Sequence, residues 1–248
     1  MWKLRSVLIS APAVIMVTVG MAIISLICSL WDRGGRTQHR LARRWSHMLL
    51  AVAFVRARVT GADKLDPKAS YVVVSNHSSY MDIPSLYNAL PLDLRFFAKR
   101  GLFSIPLLGW HLHRAGHLSV VRGDARASLK SMAEGAKLIR ERRISVLLFP
   151  EGGRTEAGIR PFKEGAAYIA IKAGVPVVPV GMVNVRGVLP MHSLLLRPGE
   201  VEINIGDPID TSDMTLHDRG RLNEMLQERV AELAGESVVQ TSETPASV

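Results

Sequence analysis

Tyr71-Val72-Val73-Val74-Ser75-Asn76-His77-Ser78-Ser79-Tyr80-Met81-Asp82 is the stretch that decides how this chain is read. An apolar run passes directly into a polar knot, and the segment beyond turns helical near Pro84, so the run predicts a strand with an imidazole at its tip. Open α/β sheets hold their ligands at that edge. On one helix His77 and Asp82 would lie about 140° apart and could not touch, because ~3.6 residues make a turn. They meet if His77 sits in the loop and Asp82 in the first helical turn. The carboxylate then accepts the imidazole N–H, fixes the tautomer and leaves the other nitrogen as a general base. Taken alone, the spacing fits a loop histidine beside an N-capping aspartate equally well.

Working outward, further strands are expected at 95–98, 118–121, 145–149, 177–182 and 201–205, several of them continuous apolar runs of the kind covered on both faces. Residues 125–143 repeat apolar positions at helical spacing, a short helix comes after Lys163, and another runs from about Leu216 to Ala234. The alternation predicts an α/β fold, a mostly parallel central sheet flanked by helices. Two prolines within Val175-Pro176-Val177-Val178-Pro179-Val180 place that strand at an edge or make it irregular, since proline cannot donate to a ladder.

No charged side chain occurs between Ser6 and Trp31, and Val7 to Leu30 is apolar enough for a membrane helix, which needs roughly 20 such residues. A cleaved signal peptide fits less well, because small residues are missing from a suitable cleavage position. Pro12 is expected to kink the helix. Basic residues are in excess on its C-terminal side (Arg33, Arg36, Arg40, Arg43, Arg44), so the positive-inside rule assigns the chain beyond residue 32 to the cytoplasmic face of the cell membrane. A second, amphipathic helix is expected over 37–55. The organisation is therefore a membrane-associated helical region at 1–58, an α/β domain at 59–235, and an unstructured Ser/Thr/Glu-rich tail at 236–248.

The formal charge of +9 is uneven: residues 1–60 carry nine Lys/Arg against one acid, 61–199 nineteen against ten, and 200–248 three against eleven. Basic groups not interleaved with aromatics argue against nucleic acid and for an anionic lipid surface. The single Cys28 excludes an internal disulfide. His111, His113 and His117 have no cysteine or nearby acid to complete a metal site, so no metal is expected.

A second polar cluster, Phe149-Pro150-Glu151-Gly152-Gly153-Arg154-Thr155, also comes directly after an apolar strand. Glycines allow close backbone approach, and an arginine fork suits a phosphate. Lys163 adds charge near a helix start, and Arg122, beyond the 118–121 strand, offers a second cation. No nucleoside-triphosphate loop of the G-x-x-x-x-G-K-[ST] type is present.

Four segments occur in fixed order: N-H-x-S-x-x-D at 76–82, G-x-x-x-x-x-R at 116–122, F-P-E-G-x-R at 149–154, and V-P-V-V-P-V at 175–180. Together they resemble the four-block signature of the glycerolipid acyltransferases, most closely the bacterial lysophosphatidate (1-acylglycerol-3-phosphate) acyltransferases, over about residues 60–185. Gly153 departs from the pattern, which usually has Thr or Ser there. The resemblance implies transfer of an acyl group from acyl-CoA or acyl carrier protein to the free hydroxyl of a lysophospholipid. His77 would be the base and Asp82 its orienter, Arg154 and Arg122 with Lys163 would hold the phosphate, and Glu151 and Gly152 would shape the loop. No cofactor beyond the thioester co-substrate is expected. The departure at Gly153 keeps other acceptors open, such as a lyso-ornithine lipid, and a non-catalytic membrane-binding role remains the reading from another class.

Overall fold

The structure, a computed structural model, describes residues 2–32, 34–121 and 124–239. It begins with α1 (Trp2–Ser29), whose first turns include a π-helical segment at Ser6–Ser10 just before Pro12. A widened turn there accommodates the ring and the missing N–H. Helix α2 (Arg36–Val52) packs back along α1 after a tight reversal. Asp32, the one acid in the first 60 residues, closes that reversal: its carboxylate accepts the N–H groups of Gly34, Gly35, Thr37 and Gln38 at 2.7–3.2 Å, satisfying the free donors of the α2 start.

The remaining elements in chain order are β1 (Val55–Thr60), β2 (Val72–Ser75), α3 (Asp82–Ala89), β3 (Leu94–Lys99), α4 (Leu108–Arg114), β4 (Leu118–Val120), α5 (Ala125–Arg142), β5 (Ser145–Leu148), α6 (Gly165–Ala173), β6 (Val177–Val183), α7 (Val185–Val188), β7 (Gly199–Ile205) and α8 (Arg219–Ala234). The sheet order is β1-β7-β6-β2-β5-β3-β4, parallel throughout except for the β6–β7 pair. Alternate residues of the apolar strands serve opposite cores. Val73, Leu147 and Val178 join Leu49, Leu86 and Leu90 on the α2/α3 side, whereas Val72, Val74, Val146 and Val177 join Ile139, Ile169 and Leu226 on the α5/α6/α8 side. Burial on both faces explains why these strands carry no polar alternation.

Three expectations change. The strand around 175–180, expected at an edge or irregular, is not at an edge but interior, between β2 and β7. Pro179 is tolerated because it falls where the regular β6–β7 pairing stops: Gly206, whose missing Cβ leaves room for the proline ring, donates to the Pro179 carbonyl at 2.9 Å, and pairing resumes only at Val177–Ile209. An additional strand, β1, lies across the expected boundary at 58/59. Its Val-Arg-Ala-Arg-Val-Thr alternation belongs to an edge strand with one solvated face, and it pairs with β7 along its whole length. Finally, the first residues of the tail are structured: Val238 bridges Ile159, with Ile159 N–H donating to the Ser237 carbonyl at 3.0 Å and Val239 N–H to the Ile159 carbonyl at 2.8 Å. Residues 240–248 lie outside the described residues.

Candidate active site

Because β2, β5 and β3 run parallel, the loops after them rise from one edge of the sheet. The β2–α3 loop is anchored first. The Asn76 side chain accepts from Met182 N–H (2.9 Å) and donates to the Met182 carbonyl (3.0 Å), a side-chain imitation of strand pairing that prolongs β2 along β6. Ser79 Oγ donates to the Leu189 carbonyl at 2.8 Å. Between these anchors His77 sits in the loop, and Asp82 is the first residue of α3.

His77 Nδ1 lies 2.6 Å from Asp82 Oδ2, and the same oxygen accepts the backbone N–H groups of Ser78 (2.7 Å) and Ser79 (2.9 Å). A carboxylate can only accept, so Nδ1 carries the proton and Nε2 keeps its lone pair. Asp82 is fully buried and His77 nearly so, with its ring stacked on Phe149 at 4.0 Å between centroids. The imidazole is therefore held by a bond at one edge and an aromatic face, which confines its remaining nitrogen to one direction.

The β5–α6 loop is coupled to the first by Glu151. One carboxylate oxygen accepts the His77 N–H at 2.6 Å and the other the Arg160 N–H at 3.0 Å. Burial pushes the Glu151 carboxyl up, opposed by these same two N–H groups. Thr155 N–H adds a bond to the His77 carbonyl at 3.0 Å. Gly152 has φ +75°, and a Cβ there would meet the Lys163 side chain at 3.0 Å, so the glycine permits both the turn and the passage of the lysine. Lys163 precedes α6 by two residues and is exposed.

Arg154 turns back onto the histidine loop. Its Nε donates to the Ser79 carbonyl at 3.1 Å, and its guanidinium lies over the Tyr80 ring at 3.9 Å. Among the described residues its two terminal nitrogens have no hydrogen-bond partner, leaving a planar fork beside the base. Its own carbonyl accepts from the Arg160 guanidinium. A cavity of ≈ 620 Å³ opens next to this loop, bordered by Ser78, Met182, Asn184, Arg186, Glu156 and Glu236. Arg122 lies outside the described residues.

The structure thus gathers His77, Asp82, Glu151, Gly152, Arg154 and Lys163 at one edge. Sequence reasoning assigned no roles to Asn76, Tyr80, Phe149 and Arg160, whose contacts with that site reach across as many as 106 positions of the chain. For Asn76 and Phe149 the signal was their places in the N-H-x-S-x-x-D and F-P-E-G-x-R blocks; Tyr80 and Arg160 had none. Among the described residues no three His, Cys, Asp or Glu side chains converge as a metal set. His117 instead stacks on Phe96 and accepts its N–H, and His111 bonds Ser25 of α1.

Comparison with known proteins places this geometry in context. The chain is 37% identical over 171 residues to a 1-acyl-sn-glycerol-3-phosphate acyltransferase of Chlamydomonas reinhardtii, covering 66% of this chain and 51% of that one. A chloroplastic 1-acyl-sn-glycerol-3-phosphate acyltransferase of Brassica napus is 34% identical over 73% of this chain and 53% of its own length. The chain thus spans about half the length of these relatives. The crystal structure of the 1-acyl-sn-glycerophosphate (LPA) acyltransferase PlsC from Thermotoga maritima superposes with a TM-score of 0.75 over 98% of this chain and 100% of that one; at 23% identity the likeness is one of fold. The family model described as Acyltransferase matches residues 56–183, a span that runs from β1 through β6 and encloses both loops, and the chain belongs to that family.

Proposed function

We propose that the chain is a 1-acylglycerol-3-phosphate O-acyltransferase. It moves a fatty acyl group from acyl-CoA or acyl carrier protein to the free sn-2 hydroxyl of 1-acyl-glycerol-3-phosphate, giving phosphatidate. The observation that carries this reading is the 2.6 Å His77–Asp82 contact, with the Arg154 fork tied to the carbonyl of Ser79 in the same loop.

His77 Nε2 takes the hydroxyl proton as that oxygen attacks the thioester carbonyl. The tetrahedral intermediate collapses with cleavage of the C–S bond, and the imidazolium returns the proton to the departing thiolate. Asp82 holds the tautomer and offsets the positive charge while it exists. Arg154, with Lys163 and Arg122, binds the acceptor phosphate; Glu151 and Gly152 shape the loop that carries Arg154. Both substrates occupy the site together, so no acyl-enzyme forms and no cofactor is called for beyond the thioester.

The acceptor resides in a membrane and the donor in water, so the site belongs at an interface. Helix α1 is long and apolar enough to cross a bilayer, with 6% of its most apolar window buried, and supports membrane anchoring. The basic flank after it supports a cytoplasmic placement of the domain. The deciding experiment is a panel of acceptors (1-acyl-glycerol-3-phosphate, other lysophospholipids and a lyso-ornithine lipid) assayed with labelled acyl-CoA. The reading expects product with lysophosphatidate above all others. Preference for a phosphate-free acceptor would favour the second reading, which Gly153 supports by lacking a hydroxyl beside the clamp. No product with any acceptor would leave a membrane-binding role.

A further inference from the structure

The crossover between β3 and α4 has an exposed apolar crest that the reaction does not use. Leu102, Ile105, Leu107, Leu108 and Trp110 are all exposed, Leu107 at 64% and Trp110 at 46%. A soluble surface tolerates single residues of this kind, but five within nine positions make a patch. At its tip Leu107 takes φ +64° and ψ −51°, and the Leu108 N–H reaches across it to the Pro106 carbonyl at 2.7 Å. That is a γ-turn of the strained hand, rare for a residue with a Cβ. The strain holds an apolar side chain outward, away from any packing that would repay it.

Two further observations say what covers this crest. From 94 to 123 the sequence contains Arg95, Lys99, Arg100, Arg114 and Arg122 and no Asp or Glu; Lys99 and Arg100, at the foot of the crest, are exposed. The crest is also joined to α1: His111 Nδ1 lies 2.8 Å from Ser25 Oγ, and the Arg114 guanidinium donates to the Ser29 carbonyl. The adjoining end of α1 and the turn after it expose Ile23, Ile24, Ile27, Leu30 and Trp31, so exposed apolar side chains lie on both of the joined elements.

We propose that residues 102–110 form a second membrane-inserting element, whose crest enters the acyl-chain boundary of an anionic bilayer while Lys99 and Arg100 meet its headgroups. It rises from the same sheet edge as the His77 and Arg154 loops, so its insertion sets the mouth of the site at the height of an embedded acceptor. This last point rests on the lysolipid reading; the insertion does not.

The test uses the full chain reconstituted in phosphatidylcholine/phosphatidylglycerol vesicles, with Trp2, Trp31 and Trp45 changed to Phe so that Trp110 is the only reporter. Lipids brominated at shallow acyl positions are expected to quench Trp110, and Leu107→Asp is expected to abolish most of that quenching. Leu107→Gly is the companion variant: it relieves the backbone strain, so its Tm should equal or exceed that of the parent while quenching falls. Trp110 that remains open to aqueous iodide and untouched by bromolipids overturns the proposal. So does quenching unchanged by both Leu107 variants, or a Leu107→Asp change from dimer to monomer, which would make a second copy the occupant. Activity is read separately. Leu107→Asp should lose turnover with long-chain lysophosphatidate in vesicles and keep it with a short-chain, monomeric acceptor. Absence of transfer by the parent with either acceptor would refute the proposed function, while quenching still decides the insertion.

Discussion

The two loops that meet at the catalytic edge are built differently. Residues 71–79, Met81 and Asp82 are buried, and the proton-bearing edge of the imidazole is fixed by Asp82 five residues on, whose carboxylate also ties the Ser78 and Ser79 N–H groups, while Phe149, Glu151 and Thr155 of the second loop hold the ring face and the His77 backbone. The loop that carries Arg154 is half-exposed over 152–154, and it is braced by Ser79 and Tyr80 on one side and, on the other, by its own Ile159 and Arg160 backed by the distant residues 236–239. A base must be held in one tautomer and one direction before substrate arrives, which a short buried loop achieves. An anion clamp must stay open to a large headgroup, so its rigidity comes from bracing behind it. Substitutions in the first loop should therefore remove turnover, and those in the second should weaken acceptor binding by graded amounts.

Asp82→Asn carries the largest effect among the supporting residues. The amide can present a donor to Nδ1 and invert the tautomer, so kcat should fall on the order of 10²–10⁴-fold with little change in acceptor KM; a steady-state comparison at saturating acyl-CoA reads this directly. Arg154→Ala comes next, with an acceptor KM raised on the order of 10–100-fold, the range of a charge-assisted bond. An unchanged response to acceptor concentration would remove Arg154 from the clamp. Tyr80→Ala removes only the aromatic face beneath the guanidinium and should raise the same KM about twofold to fivefold. Tyr80→Phe retains the face and should restore it.

The bracing behind the clamp can be broken from either side. Gly158 has φ +59°, and a Cβ there would collide with Val239, so Gly158→Ala should displace residues 237–239 from their bridge to Ile159; a chain ending at Gly235 removes that segment along with the Arg186–Glu236 ion pair. Each should cost about 1–2 kcal/mol in net hydrogen bonding and packing, lowering Tm by roughly 2–8 °C, and both should share a modest rise in acceptor KM. If only Tm moves, the segment is a fold element without influence on Arg154.

The smallest effect is expected at the seam between α2, α4 and the sheet edge. Burial pushes His39 down to about 4, partly opposed by the Asp93 carboxylate, and burial likewise lowers His111 and His117. The unfolded chain binds these protons near pH 6.5, while the fold refuses them until pH approaches the lowered values. Stability contributed by the neutral rings is thus complete above about pH 6.5 and declines as pH falls toward 4. Chemical unfolding followed at several pH values should show that decline, and His39→Gln should flatten it.

How far the sequence could be read obeys the same division. Val72-Val73-Val74 and the five-residue step from His77 to Asp82 are local patterns, so strand, loop and the start of α3 were all legible from spacing. Pro179 misled because a missing N–H matters only where a neighbour waits for it, and that neighbour, β7, ends one residue away. The alternating Val55–Thr60 strand was hidden against the helix before it. The Ser/Thr/Glu-rich tail looked unstructured because composition reports side chains, whereas Ser237 and Val239 pair through their backbones. Tyr80 under Arg154 joins residues 74 positions apart, a contact no single stretch encodes.

The central claim is that the Nε2 of His77, with Nδ1 fixed by Asp82, takes the proton from a lysophosphatidate hydroxyl. The most direct measurement is the rate of labelled phosphatidate formation from lysophosphatidate and acyl-CoA by the parent and by His77→Gln, in the same vesicles and with matching circular dichroism. The account predicts turnover in the parent and its loss, by at least ~10²-fold, in the variant that stays folded and bound. Near-parental turnover by His77→Gln would contradict it.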